Sequence, residues 1–133
     1  MALRITPSDI GLLLLRVYAG GTMLVMHGWG KLLSFPEKSG SFPDPFGVGA
    51  PVSLGLAVFA EVVCAALLVA GAFTRFAALP LVVTMAVAGF LIHGGDPWVK
   101  KELAFTYLAV FACLMGTGPG ALSVDVRVRG KRA

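Results

Sequence analysis

Four apolar stretches, separated by short polar or glycine- and proline-rich breaks, dominate the hydrophobic pattern of the chain. A helix that crosses a bilayer needs about 20 mainly apolar residues. The last stretch approaches this length only when it is extended back to Trp98, which places Lys100, Lys101 and Glu102 at the membrane interface. The pattern predicts helices at about 9–33, 50–73, 75–93 and 98–117, and a basic tail at 121–133.

The breaks between these helices support the division. The segment 34–49 is rich in proline, glycine and serine, which is typical of a loop. Its aromatic residues Phe35, Phe42 and Phe46 indicate that the loop lies on the membrane surface or caps the bundle. The turn near residue 74 is very short, so the second and third helices should form an antiparallel hairpin.

Composition places the chain in the membrane class. Hydrophobic residues make up 57% of its 133 residues and charged residues 14%, and the mean hydropathy is +0.86. Soluble domains carry about 45–50% apolar and about 25% charged residues. We therefore expect one all-α domain over 1–133, an integral membrane four-helix bundle with the lipid bilayer as its partner.

The distribution of basic residues argues against a nucleic-acid partner and predicts the topology. The net charge is +4, but the basic residues flank apolar segments and do not form one face. With four helices both termini lie on one side, together with Arg4, Arg75 and the basic tail. This side has six lysines and arginines against four on the other, which predicts cytoplasmic termini.

Two charged residues lie deep in the predicted helices, Arg16 in the first and Glu61 in the second. An isolated charge at such a depth costs about 2.5–3.5 kcal/mol on insertion scales, so deep charges normally face inward and pair. A rise of about 1.5 Å per residue puts the two at depths that an arginine side chain can bridge. We expect a buried Arg16–Glu61 ion pair, which either joins two helices or lines a ligand or proton pocket.

A second group of polar and aromatic residues is predicted at the outer mouth of the bundle. Histidine titrates near neutral pH and can hydrogen-bond a quinone carbonyl or pass a proton. The simpler interpretation is that such histidines meet only water and lipid headgroups. The candidate ligand-binding residues are His27, Trp29, Lys31, His93, Glu102 and Tyr107.

Two other interpretations of this group use the same residues. His27 and His93 lie at one depth and could ligate haem, and Glu102 with both histidines could hold a metal. No local spacing such as HxxxH supports a metal site, so none is assigned. The sequence has no phosphate loop, nucleophile elbow or CxxC dithiol, and the catalytic residues stay unassigned.

Three segments resemble a known family. The run LLLLRVYAGGTMLVMHGWGKL contains Arg16 and His27, and AEVVCAALLVAGAFTRFAALPL contains Glu61 and the turn before Arg75. The third segment, GTGPGALSVD, ends at Asp125. Together they resemble the DoxX family of small four-helix membrane proteins over roughly residues 12–125.

The resemblance implies a multi-pass protein of the bacterial inner membrane and a role as an oxidoreductase subunit. DoxX members are similar to the quinone-linked membrane subunit of thiosulfate:quinone oxidoreductase, and others act in membrane complexes with oxidative-stress enzymes. Quinone is thus the one cofactor that the resemblance implies, and a redox-enzyme subunit is the implied partner. The chain shows no redox centre of its own, and its thin bundle is compatible with homo-oligomers.

Two functions follow as hypotheses. In the first, the protein is a membrane subunit that binds a quinone or a lipid-like ligand and helps to pass electrons from a partner enzyme. In the second, it is a non-catalytic scaffold, chaperone or small-molecule carrier, and its buried charges are structural. Bound quinone in the purified protein favours the first hypothesis.

Overall fold

The computed structural model describes residues 3–132, and in this part of the chain all regular structure is helical. Four long helices, α1, α3, α4 and α5, are accompanied by two shorter ones, α2 and α6. Their bounds are Pro7–Leu33 (α1), Phe35–Lys38 (α2), Ala50–Ala70 (α3), Thr74–Ile92 (α4), Trp98–Thr117 (α5) and Val124–Arg132 (α6).

The long helices pack as a bundle in which α1 and α4 each contact both α3 and α5. Small residues bring the backbones close, as membrane helices require. At Gly20 of α1, for example, a Cβ atom would lie 3.1 Å from the carbonyl oxygen of Ala65 on α3. The buried core is made of Ala19, Met23, Ala60, Cys64, Ala65, Leu68, Ala77, Ala78, Leu81, Met85, Tyr107, Phe111 and Leu114.

The outer surface of the bundle is apolar. The helices α1, α3 and α4 are long and apolar enough to cross a membrane, and large apolar side chains such as Leu14, Tyr18 and Phe76 are exposed along them. Such a surface would be a liability in water and suits lipid, while the helical backbone bonds are satisfied internally. The fold class predicted from the sequence, an all-α membrane protein, is therefore confirmed. The helix α5 has three charged residues within its first two turns, Lys100, Lys101 and Glu102.

Both ends of the described chain meet at one end of the bundle, which we call the terminal end. Asp9 of α1 caps its own helix with Thr6, and its Oδ1 also accepts a hydrogen bond of 2.7 Å from the backbone of Ala121. Asp125 of α6 accepts from the backbone N–H groups of Phe73 and Thr74 at 2.7 and 3.0 Å. The opposite end, with segment 34–49 and the turn 93–97, is called the loop end.

The segment 121–133 was predicted as a basic tail without a helix, but in the structure residues 124–132 form one. Asp125 attaches this helix to the bundle: its carboxylate caps α4, and its backbone N–H donates to the carbonyl of Gly71 at 2.9 Å. The α4 N-terminus lacks a cap of its own, since Phe73 precedes it. A residue 51 positions later in the sequence supplies the cap, which no local pattern indicates.

The second helix also ends earlier than predicted, at Ala70 and not near residue 73. Gly71 adopts a left-handed conformation with φ of 72°. Its N–H donates to the carbonyl of Leu68, and the N–H of Ala72 donates to that of Leu67. These two bonds form a Schellman motif, which ends the helix and satisfies its last carbonyls.

Replacing Gly71 with Ala should strongly destabilise the protein. A left-handed conformation costs a residue with a Cβ atom about 1–2 kcal/mol. The added Cβ would also lie 2.6 Å from the Cβ of Ser123 and collide with the guanidinium of Arg16. The control is Gly11→Ala, at a helical position with open space around it. We expect the denaturant midpoint of Gly71→Ala to fall well below wild type, and that of Gly11→Ala to stay level or rise; equal midpoints would contradict this account.

Candidate functional site

The charged pair inside the bundle consists of Lys31 and Glu61. The Lys31 Nζ, on the last turn of α1, donates to the Glu61 Oε2 on α3 at 2.5 Å. The side chain of Glu61 is 5% exposed and that of Lys31 is 25% exposed. Gly28 allows this approach, since a Cβ there would lie 2.5 Å from the carbonyl oxygen of Glu61.

The predicted Arg16–Glu61 pair is therefore wrong, although both residues are buried. The Arg16 guanidinium lies at the end of α3: Nη1 donates to the carbonyl of Val69 at 3.1 Å, and Nη2 to that of Leu122 at 2.6 Å. Val69 is eight residues beyond Glu61, or roughly 12 Å along the helix. Arg16 thus binds the negative end of the α3 dipole and ties it to the segment that precedes α6.

The register of α1 against α3 explains the error. The contact of Gly20 with Ala65 and that of Gly28 with Glu61 fix which residues of the antiparallel helices lie side by side. In this register Arg16 is level with the last turn of α3, and Lys31 is about one turn from Glu61. Counting residues from the predicted helix ends estimates how deep each charged residue lies in the membrane. It does not show which residues of α1 and α3 lie side by side.

Three of the long helices contain π-helical turns, and one of these turns includes Glu61. Each of α1, α3 and α4 contains a π-helical segment, and the segments of α1 and α3 pack against each other. Such wider turns are rare, and many of them occur at functional sites. The segments are Met23–Gly28, Phe59–Cys64 and Val87–Ile92.

A cavity of about 480 Å³ lies beside the Lys31–Glu61 pair, between α3, α4 and the loop end. Its volume is in the range of small-molecule sites, which are mostly apolar with a few polar groups that orient the ligand. The polar groups here are Lys31, Glu61, His93, Ser53 and Thr84. The apolar wall is formed by Phe42, Pro43, Pro45, Phe46, Val48, Leu56, Ala57, Val83, Val87, Ala88 and Ile92.

One carboxylate shapes the loop wall of this cavity. Asp44 accepts hydrogen bonds from the backbone N–H groups of Val48 and Gly49 at 3.0 and 2.8 Å, and from the Ser53 hydroxyl at 2.8 Å. The bond from Ser53 is the largest of several causes that keep the pKa of Asp44 below its usual value. Asp44 is not among the residues predicted from the sequence, because it lies six residues before Ala50 and so outside the N-cap position where an Asp signals a helix start.

His93 lies at the rim of the cavity, paired with Asp96. The two side chains meet at 2.8 Å through the His93 Nδ1, and this bond is the main cause of a lowered pKa at Asp96. A charged carboxylate only accepts, so the neutral ring carries its proton on Nδ1 and presents Nε2 as an acceptor. The loop end thus places a histidine within the lining that also contains Lys31 and Glu61.

The predicted outer-mouth group divides between two sides of the bundle. Lys31 and His93 line the cavity, but the ring of His27 packs edge-on against Tyr107 of α5, with 5.6 Å between ring centroids. Trp29 and Glu102 are exposed. Similar depth had suggested one group, but residues at one depth can face different helices.

The described residues offer no cluster of three His, Cys, Asp or Glu side chains that could hold a metal ion. Of the two histidines that a haem would have to join, His27 packs against Tyr107 of α5, whereas His93 lies in the turn after α4 and is hydrogen-bonded to Asp96. The cavity offers a ligand a hydrogen-bond donor on Lys31, acceptors on Glu61 and His93, and a broad apolar wall.

Comparison with known proteins identifies the family. The sequence model of the DoxX family matches residues 11–94, more than half of the chain. The chain belongs to the DoxX family. The matched part contains Arg16 and the whole lining of the cavity, from Lys31 to His93. The resemblance stated from the sequence is confirmed.

Two relatives of this DoxX protein are uncharacterized proteins of Haemophilus influenzae. One is 28% identical over 129 residues, which cover 92% of this chain and 85% of the relative. The other is 34% identical over 114 residues, covering 77% and 80% respectively. No solved structure matches the chain.

Proposed function

We propose that this DoxX protein binds a quinone, or a lipid-like ligand with a similar polar head, in the cavity beside Lys31 and Glu61. It acts as the membrane subunit of a redox complex in the bacterial inner membrane. The observation that carries the proposal is the ion pair of Lys31 and Glu61 in the lining of an otherwise mainly apolar cavity. An ion pair with a purely structural role needs no cavity beside it. An amphipathic ligand needs polar groups for its head and an apolar wall for the rest of the molecule.

The proposed topology has four crossings with cytoplasmic termini. The helix α5 is 20 residues long and packs along α4, so it runs beside a helix that is apolar enough to cross the membrane. Its charged residues Lys100, Lys101 and Glu102 then lie at the outer interface. The terminal end carries most of the basic residues, which favours the cytoplasmic side for it.

The chemistry of a quinone matches the lining. Its flat ring and isoprenoid tail are apolar, and Phe42, Phe46 and the aliphatic residues of α3 and α4 supply an apolar wall. A quinone carbonyl needs a hydrogen-bond donor, and the ammonium of Lys31 can donate to one of the two carbonyl groups. The hydroxyl groups of the reduced form need acceptors, which Glu61 and the His93 Nε2 supply.

Reduction of a quinone consumes two electrons and two protons. In this proposal a partner oxidoreductase donates the electrons, and the protons come from water at the loop end. His93 lies at the rim, and an imidazole ring can both accept and donate a proton, so it suits the transfer of protons from water to the cavity. Glu61 holds the ammonium of Lys31 in place for the carbonyl.

The test is a titration of the protein in nanodiscs with a short-chain quinone, followed by calorimetry. We expect saturable binding with one quinone per chain. Ala88→Phe adds a ring to the cavity wall, and should weaken binding at least about tenfold, equal to about 1.4 kcal/mol. The control Ala66→Phe makes the same change at an exposed position of α3 and should bind like wild type.

Absence of saturable binding to wild type would reject the proposal and favour a scaffold or chaperone role. Equal weakening in both variants, or in neither, would show that any quinone binds outside this cavity. Saturable binding without any reduction when the partner complex is present would favour a carrier.

A further inference from the structure

A second concave surface lies at the terminal end, away from the cavity. It has a volume of about 700 Å³ and is formed by the turn between α3 and α4, the segment after α5, and α6. We call it the terminal groove. Its wall combines the apolar side chains of Phe73, Phe76, Val124 and Val128 with the basic side chains of Arg75 and Arg129.

The apolar side chains of this groove are exposed. The exposed fractions are 68% for Phe73, 79% for Phe76 and 44% for Val128. Phe73 is the residue before α4 and has a φ of 49°, in the left-handed region that residues with a Cβ atom rarely adopt. Asp125 holds this conformation through the Phe73 N–H, and the aromatic ring lies in the groove.

The acidic group in the groove is already engaged. The Asp125 carboxylate accepts three hydrogen bonds, from the N–H of Phe73 and from the N–H and hydroxyl of Thr74. Burial raises the pKa of Asp125, but the hydrogen bonds from Thr74 and Phe73, together with the charge of Arg129, outweigh it and the pKa is lowered. The charged carboxylate is thus matched by the N-terminus of α4, which reduces its repulsion of an incoming anion.

The basic groups at this end are only partly matched: the charge of Arg129 helps to lower the pKa of Asp125, but the described residues form no ion pair here. Within the described residues, the Lys31–Glu61 ion pair and the His93–Asp96 hydrogen bond both lie away from the terminal end. Asp9, the other acidic residue here, is occupied by Thr6 and Ala121. The described terminal end therefore keeps an excess of positive charge from Arg4, Arg75, Arg127, Arg129 and Lys131.

We propose that the terminal groove binds an anionic phospholipid. Its phosphate lies between Arg75 and Arg129, and the upper parts of its acyl chains contact Phe73, Phe76 and the valines of α6. The groove lies where α3 ends and α4 begins, which is the depth of lipid headgroups for helices that cross the membrane. A free phosphate would use the arginines but leave the exposed aromatic rings unexplained.

The helix α6 contributes both apolar and basic side chains to the groove. Val124 and Val128 are one turn apart, and Arg129 follows directly. Basic residues close to a membrane surface favour anionic lipids. Asp125 fixes α6 to the bundle, so the groove is preformed.

The test is native mass spectrometry of the full-length protein in detergent with equal amounts of phosphatidylglycerol and phosphatidylcholine of the same acyl chains. We expect the first bound lipid to be phosphatidylglycerol about tenfold more often. Arg75→Gln/Arg129→Gln should reduce this preference to near one. The control Lys38→Gln/Lys100→Gln removes the same charge at the loop end and should keep the preference.

Other outcomes would overturn the proposal. The first is a wild-type protein that binds phosphatidylglycerol no more often than phosphatidylcholine. The second is a control variant that loses as much of the lipid preference as the groove variant does. The third is displacement of the bound lipid by inorganic phosphate alone. Arg75→Lys/Arg129→Lys retains the charge and should keep most of the preference, which separates loss of binding from misfolding. Ala88→Phe should leave the lipid preference unchanged, so the result is independent of the proposed quinone site.

Discussion

Replacing Lys31 with Met should destabilise the protein by about 3–5 kcal/mol, and adding Glu61→Leu should restore most of that loss. The single change leaves a carboxylate that is 5% exposed without its ammonium partner. The double change removes both charges and both costs of burying them, and leaves apolar side chains in an apolar wall. The free energy of unfolding, measured by denaturation of each variant in detergent micelles, provides the check.

The matched control for this pair is Lys38→Met, which removes an exposed lysine at the same end of the bundle. It should change the free energy of unfolding by less than about 0.5 kcal/mol. A double variant as unstable as Lys31→Met would show that the two side chains do not act as a pair. If Lys31 and Glu61 serve the ligand, the double variant should be stable and still fail to bind quinone.

The second large effect is expected at Arg16. Arg16→Met should cost about 3 kcal/mol, because the carbonyls of Leu68, Val69 and Leu122 lose a charged donor inside the bundle. Arg16→Lys should lie between wild type and Arg16→Met, since one ammonium group lacks the fork that reaches both α3 and Leu122.

The control for Arg16 is Arg4→Met, an exposed arginine near the same end of the bundle, which should have little effect. Quinone binding should survive Arg16→Met in protein that remains folded, because Arg16 lies outside the cavity lining. Loss of quinone binding with unchanged stability would place Arg16 in the ligand site and contradict its position outside the cavity lining.

The sequence predicted the helices well because bilayer thickness, glycine and proline leave few alternatives. The helix ends were harder, since contacts between distant residues decide them. α3 stops at Gly71 in a left-handed conformation, and α4 starts where Asp125 caps it. Neither feature changes the hydrophobic pattern.

The site was predicted only in part. Burial of Arg16 and Glu61 follows from the cost of a charge in lipid, so the sequence was sufficient to expect it. Their partners depend on the register of α1 against α3, which Gly20 and Gly28 set through contacts with the facing backbone. The cavity also depends on how Asp44 folds segment 34–49, and hydropathy carries no information on that.

The most direct test of the central claim is native mass spectrometry of the full-length protein, gently extracted from the membrane of a quinone-producing bacterium. The account predicts a quinone-sized adduct of one per chain in wild type and in Ala66→Phe, and its loss in Ala88→Phe. A wild-type chain without the adduct, or an adduct retained equally by Ala88→Phe, would contradict a quinone site beside Lys31 and Glu61.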